Sequence, residues 1–148
     1  MKKIKAWSKR YLPAEALSLL TSVIAGLVVQ TVMPYPVIIA YAAALGENVG
    51  YYSYQLGREL RENRRQYHGV TGLAGAIKII VRTLRNLLLE FGPAEALDSL
   101  VVRPFFLYLY AIHIPHLALA LVLGKITADI VFYLIAISSY ELKRKYFN

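Results

Sequence analysis

The sequence predicts an all-α polytopic membrane protein: four transmembrane helices arranged as two tandem hairpin repeats of the same orientation, plus a cytoplasmic amphipathic helix. Three observations lead there. The chain has 148 residues, of which 57% are hydrophobic, with a mean hydropathy of +0.46, too apolar for an ordinary soluble domain. One octapeptide occurs twice, as PAEALSLL at 13–20 and PAEALDSL at 93–100, an offset of 80 residues. Fifteen of the 17 basic residues fall in three blocks separated by long apolar runs.

The four apolar runs lie at roughly 14–33, 36–57, 94–112 and 116–140. Each is near the ~20 residues that cross a bilayer. The organisation this implies is one membrane domain over 1–148. Repeat one covers 5–62, an interfacial loop and amphipathic helix covers 63–91, and repeat two covers 92–146. Each unit opens with Pro-Ala-Glu, at 13–15 and 93–95. Pro in a first turn loses no helical bond, and a carboxylate there meets the positive end of the helix dipole. The pair is expected to mark two helix starts. An acidic site at the cytoplasmic entrance is the functional alternative.

The second helix of each unit carries a stripe of small residues, Ala42, Gly46 and Gly50 in the first and Ala120, Gly124 and Ala128 in the second. Residues four apart share one helix face, and small stripes let membrane helices approach closely. These six are expected to pack helices. The offset here is 78, so the second hairpin tip is shorter by two residues. Two spans per unit give both units the same orientation, related by an axis along the membrane normal.

Between the units, Leu73, Ile77, Ile80, Val81, Leu84, Leu87, Leu88 and Phe91 follow the spacing of one helical face, with Lys78, Arg82, Arg85 and Asn86 off it. This predicts a helix lying on the cytoplasmic leaflet. The stretch with Trp7 and Tyr11 is its shorter counterpart, and 62–72, with His68, reads as a loop.

The formal net charge is +8, and its placement excludes nucleic acid as the partner. Fifteen of the 17 Lys and Arg precede the first run, lie between the second and third, or follow the fourth. The tips, MPYP and IHIPH, have none. The positive-inside rule then puts both termini and the middle segment in the cytoplasm of an inner-membrane, multi-pass protein. Anionic lipids are the expected partners of the basic blocks. No cysteine is present, so thiol and disulfide chemistry is excluded. His113 and His116 flank Pro115 at a tip and make only a weak metal pair. No catalytic motif appears, so neither an enzyme nor a cofactor or metal is expected.

Charges inside the apolar runs need a reason, because each costs roughly 2.5–3.5 kcal/mol at mid-bilayer on insertion scales. Counting from the cytoplasmic ends places Glu47, Arg103 and Asp129 level, Asn48 beside Glu47, and Lys125 one turn further out. The repeat aligns Glu47 with Lys125 and Tyr51 with Asp129. One expectation is an ion network that fixes helix packing, with Lys125 paired to Asp129 and Arg103 to Glu47. The other is a substrate-binding cavity in which Arg103 and Lys125 receive an anionic group such as a lipid phosphate, held by Glu47, Asp129 and Asn48. Pro104 should free the carbonyl of Leu100 and kink the third helix beside Arg103. YYSY at 51–54 reads as packing, or as a lining for a polyprenyl or sugar group.

The segments ALGENVGYYSYQLGREL at 44–60, LGKITADIVFYLIAISSYEL at 123–142 and LLLEFGPAEAL at 87–97, with the basic run before it, resemble the GtrA-like family of small four-span membrane proteins. The resemblance implies handling of polyprenyl-phosphate-linked sugars, or assistance to a membrane glycosyltransferase. The expected function is therefore non-enzymatic translocation or handling of an anionic lipid-linked substrate, by a homodimer or beside a glycosyltransferase partner. The alternatives are an accessory or scaffold subunit of a larger membrane enzyme, and a small proton-coupled exporter.

Overall fold

A computed structural model describes the backbone of residues 2–66 and 72–146, and side chains over 12–62, 72–78, 80–82, Arg85 and 95–134. Residues 67–71, with His68, of the expected 62–72 loop lie outside what it describes, as do the side chains of Trp7, Tyr11, Leu84, Leu87, Leu88 and Phe91, while 62–66 continue α2 instead of forming a loop. The described residues are helical apart from short links: α1 (Lys2–Val32), α2 (Pro36–Gln66), α3 (Leu73–Leu97), a π-helical turn (Asp98–Val102), α4 (Arg103–His113) and α5 (Leu117–Tyr146). Among the described residues, two helices are long and apolar enough to cross a membrane, over Leu12–Val32 and Leu117–Leu134.

Both short tips fall where expected. Residues 33–35 join α1 to α2, and Pro36 opens α2, where its missing N–H goes unmissed. Residues 114–116 join α4 to α5. There His113 Nδ1 lies 2.7 Å from the Leu109 carbonyl oxygen, a helix-end contact that engages one of the two tip histidines.

The twin Pro-Ala-Glu segments do not start helices. Pro13 lies inside α1, and the second copy lies near the end of α3. The reason is local. Residues 2–12 contain neither Gly nor Pro and are mostly good helix formers, so the helix continues across the one bond that Pro13 removes. In the same way α3, the π-turn and α4 form one unbroken helical run. The amphipathic segment and the third apolar run are therefore one rod, with no break at residue 92.

The helices pair as two hairpins, α1 on α2 and α4 on α5, joined through α2–α4 and α1–α5 contacts. The core is built largely from small residues, with Ala40, Ala43, Ala44, Ala120 and Ala128 buried around Ile39, Leu107 and Leu121. Gly46 and Gly50 sit against the α1 backbone at Thr21, Leu17 and Ser18, and Gly124 sits against Leu107 and Phe106. Ala42, the first member of its stripe, is half-buried. Gly26 faces Ala43, Ile39 and Leu121 and so joins the two hairpins. Meanwhile Leu20, Ile24, Val28, Leu45, Val49, Phe105, Leu119, Ile126 and Ile130 point outward. Small inside and large apolar outside reverses the arrangement that water favours. Leu73, Ile77 and Val81 on α3 are likewise exposed, as are Lys78, Arg82 and Arg85 off that face.

Pro104 has the effect its chemistry demands. It cannot donate to the carbonyl of Leu100, and its ring crowds that carbonyl. The Tyr41 hydroxyl donates to it instead, at 3.1 Å. Tyr41→Phe is expected to destabilise by about 1 kcal/mol, read by equilibrium unfolding in mixed micelles. No measurable loss would show that solvent or lipid headgroups satisfy the carbonyl equally well.

Candidate functional site

The charged residues meet in one network contributed by α1, α2, α4, α5 and the π-turn. The π-turn is what assembles its third side. In an α-helix successive residues rotate about 100°, so positions five apart point in widely different directions. Here the Arg103 N–H bonds to the Asp98 carbonyl, the five-residue step of a π-turn. That one extra residue brings the Asp98 and Arg103 side chains to the same side, where they pair. Such bulges occur often at functional sites.

Arg103 is held by three carboxylates. Its Nη1 pairs with Glu47 Oε1 and its Nη2 with Asp98 Oδ2, with Asp129 Oδ1 at 3.5 Å from Nη2. Lys125 is also held by three. Its Nζ lies 2.7 Å from Asp129 Oδ2, 2.9 Å from Glu47 Oε1 and 3.0 Å from Glu15 Oε2. Glu47 Oε1 thus accepts from both cations. The structure brings Glu47, Arg103, Lys125 and Asp129 together and makes both expected pairings. Asn48 faces elsewhere, its Nδ2 donating to Ser99 Oγ of the π-turn at 3.1 Å.

Burial divides the network into a core and a rim. The side chains of Glu47, Asp98, Lys125 and Arg103 are 3%, 2%, 5% and 11% exposed, against 29% for Asp129 and 45% for Glu15. The core holds two acids and two bases. The rim adds two acids and no base.

Asp98 and Glu15 also belong to this site; the depth count does not single out Asp98, and Glu15 enters the sequence reading only through the alternative of an acidic site at the cytoplasmic entrance. Glu15 reaches from α1 across to Lys125 on α5. Its repeat counterpart, Glu95, accepts from the Tyr52 hydroxyl on α2 at 3.2 Å. Each Pro-Ala-Glu glutamate therefore crosses to the second helix of the opposite hairpin. Asp98 carried a signal in the sequence, because it stands where the first copy has Ser18.

Four buried side-chain atoms accept or donate no hydrogen bond among the described residues: Glu47 Oε2, Asp98 Oδ1, Arg103 Nε and Ser22 Oγ. Oxygens of Glu15, Glu47 and Asp129 lie within 4.8 Å of one another, close enough to hold a cation. The Lys125 ammonium contacts one oxygen of each. Beside this network, an apolar groove of about 300 Å³ lies between α2 and α4, lined among others by Val37, Tyr41, Leu100, Val101, Phe105 and Tyr108.

Comparison with protein-family models, curated proteins and solved structures gives no match.

Proposed function

We propose that the chain is a four-span protein of the cytoplasmic membrane, with both termini and the 58–91 segment in the cytoplasm, and that it is a small proton-coupled exporter rather than an enzyme. The outward-facing apolar side chains on the helices support the membrane reading. The observation that carries the function is the acid surplus, four carboxylates around two cations. A network with more acids than bases at membrane depth retains negative charge, which favours binding a proton or another cation. The two surplus acids, Glu15 and Asp129, are the partly exposed ones, where exchange would begin.

An anionic lipid-linked substrate would have to displace carboxylates from Arg103 and Lys125 and enter a negative site. One observation favours that reading all the same. The apolar groove adjoins the helix turn that carries Arg103, and it would suit a prenyl or acyl chain. A homodimer or a glycosyltransferase partner would then form around the groove or the exposed apolar face of α3.

The test is purified protein in vesicles containing a pH dye, with gradients of alkali or organic cations imposed. Proton movement opposite to a cation gradient is expected, and Asp129→Asn should reduce it severalfold. If the vesicles behave as protein-free ones do while labelled polyprenyl-phosphate sugar crosses, the lipid-linked reading replaces ours.

A further inference from the structure

We infer that α3 is an arm that senses anionic lipid: Leu73, Ile77 and Val81 enter the acyl boundary of the cytoplasmic leaflet, Lys78, Arg82 and Arg85 bind its phosphate headgroups, and the unbroken helix carries that docking to the Asp98–Arg103 pair. This rests on the four-span reading and is independent of what the protein transports.

The arm presents two adjoining faces. At about 100° per residue, Leu73, Ile77 and Val81 cover an arc of about 80°, and Lys78, Arg82 and Arg85 share an arc of about 60° directly beside it. All six side chains are exposed. An apolar arc bordered by cations is the form of helix that lies in a membrane interface. Both arcs are open. The ion pairs among the described residues are made elsewhere, and α3 meets the rest of the molecule mainly at the π-turn and α2.

Charge decides the occupant. An apolar protein surface would cover Leu73, Ile77 and Val81 and leave the three cations unused, whereas an anionic leaflet engages both arcs at once. That leaflet is also the nearest surface. On the depth count Arg103 is near the midplane, and about ten residues of helix back to Pro93 rise about 15 Å, half the hydrocarbon thickness. The arm therefore leaves the membrane at its own C-terminal end, which holds both arcs near the headgroups at high effective concentration. Pro93 lies within α3. A proline inside a helix is a place to bend, so the arm can turn onto the leaflet while the helix stays continuous.

The root of the arm is fastened to the charged network. Glu95 in its last turn accepts from the Tyr52 hydroxyl on α2. Ser99 in the π-turn accepts from Asn48, and Asp98 pairs with Arg103. A docked arm and a free arm load this root differently, and the π-turn between them and α4 is the element built to bend. Anionic lipid then shifts the network by favouring the docked arm.

The experiment uses the full chain in nanodiscs of phosphatidylcholine with and without phosphatidylglycerol. The chain has no cysteine, so Ile77→Cys or Val28→Cys carries a single spin label, and collision with oxygen against a nickel complex reports lipid against water. The ratio at Ile77 is expected to rise severalfold with phosphatidylglycerol, and to lose that rise when Lys78, Arg82 and Arg85 are all changed to Gln. A label pair at Leu97 and Val49, both exposed, spans the root, and its distance is expected to move by about 1–2 Å with phosphatidylglycerol, the scale of helix shifts at interfaces. Equal Ile77 ratios in the two discs overturn the proposal, as does a response that survives the triple change. An immobile Ile77 label closed to both collision partners means that a protein surface covers the arc, and also overturns it. A docked arm with an unchanged Leu97–Val49 distance overturns the link to the network. Val28 is exposed on α1 and separates the two readings: a label there that meets the nickel complex removes the four-span reading, whereas one that stays in lipid while Ile77 ignores lipid charge removes this inference alone.

Discussion

Arg103→Ala is expected to be the most destabilising substitution in the charged network, lowering stability by about 3–5 kcal/mol. The loss does not come from the pair energy itself, much of which is offset by the desolvation of the ions. It comes from what is left behind. Glu47 and Asp98, with side chains 3% and 2% exposed, both lean on Arg103, and Asp98 has no other hydrogen-bond partner among the described side chains. Removing the guanidinium leaves Asp98 as an uncompensated buried acid and leaves Lys125 as the only cation beside four carboxylates. Arg103→Lys should recover only part of the loss, because a single ammonium cannot reproduce the planar fork that reaches Glu47 and Asp98 at once. The double variant Arg103→Met with Asp98→Leu should be milder than Arg103→Ala, since it removes a charge together with its partner. Equilibrium unfolding in mixed micelles, followed by circular dichroism, measures all three. If Arg103→Ala loses less than about 1 kcal/mol, the value of an exposed pair, then water reaches these groups and the core of the network is not dry.

Much of this arrangement was legible in the sequence, because it follows from local rules. Both hairpin tips are marked by Pro and by the absence of Lys and Arg. The depth count brought Glu47, Arg103 and Asp129 level, and they meet. The consequence of Pro104 for the Leu100 carbonyl follows from one missing N–H, and Tyr41 answers it. What stayed hidden depends on register. A π-turn adds one residue to a helix with no sequence mark of its own, so Asp98 could not be placed on the face of Arg103 by counting in steps of 3.6. Glu15 is legible as an acid at the cytoplasmic entrance, but its partner is not. Pro13 and the first-turn acid read as a helix start, yet the helix begins at Lys2, and Glu15 reaches Lys125 on another helix. The depth count sets Lys125 one turn further out, yet its Nζ reaches Asp129, Glu47 and Glu15. A lysine stem is long enough to span about one helical turn, so the ammonium can meet carboxylates that the count does not place level with it.

The close approach of α1 and α2 leads to the second large effect, Gly46→Leu, and to a distinction between two uses of the small-residue stripe. A Cβ at Gly46 would lie 2.6 Å from the Ala25 Cβ and 2.8 Å from the Thr21 carbonyl oxygen. Neither can swing aside, since one is the first atom of its side chain and the other is backbone. Even Gly46→Ala should therefore cost about 1–3 kcal/mol through overpacking, and leucine should force the hairpin apart. Gly57 is the control. Nothing lies within 4 Å of a Cβ built there, so Gly57→Leu should be neutral, or favourable by up to about 1 kcal/mol as a helix glycine is replaced. The chain contains no cysteine, so a pair of introduced cysteines can carry spin labels without interference. Val28 and Leu45 are exposed on the two helices, and labels there report the α1–α2 separation. Gly46→Leu is expected to broaden and lengthen that distance, and Gly57→Leu to leave it unchanged. If the stripe instead served as a seam between two copies, Gly46→Leu would dissociate the assembly while the distance within each hairpin stayed as it was. The contact of Gly46 with Thr21 and Ala25 of its own chain predicts the first outcome. It also places Glu47, the next residue, on a helix whose position is fixed by backbone contact, so a shifted hairpin should loosen its pairing with Arg103 and Lys125 as well as lower stability.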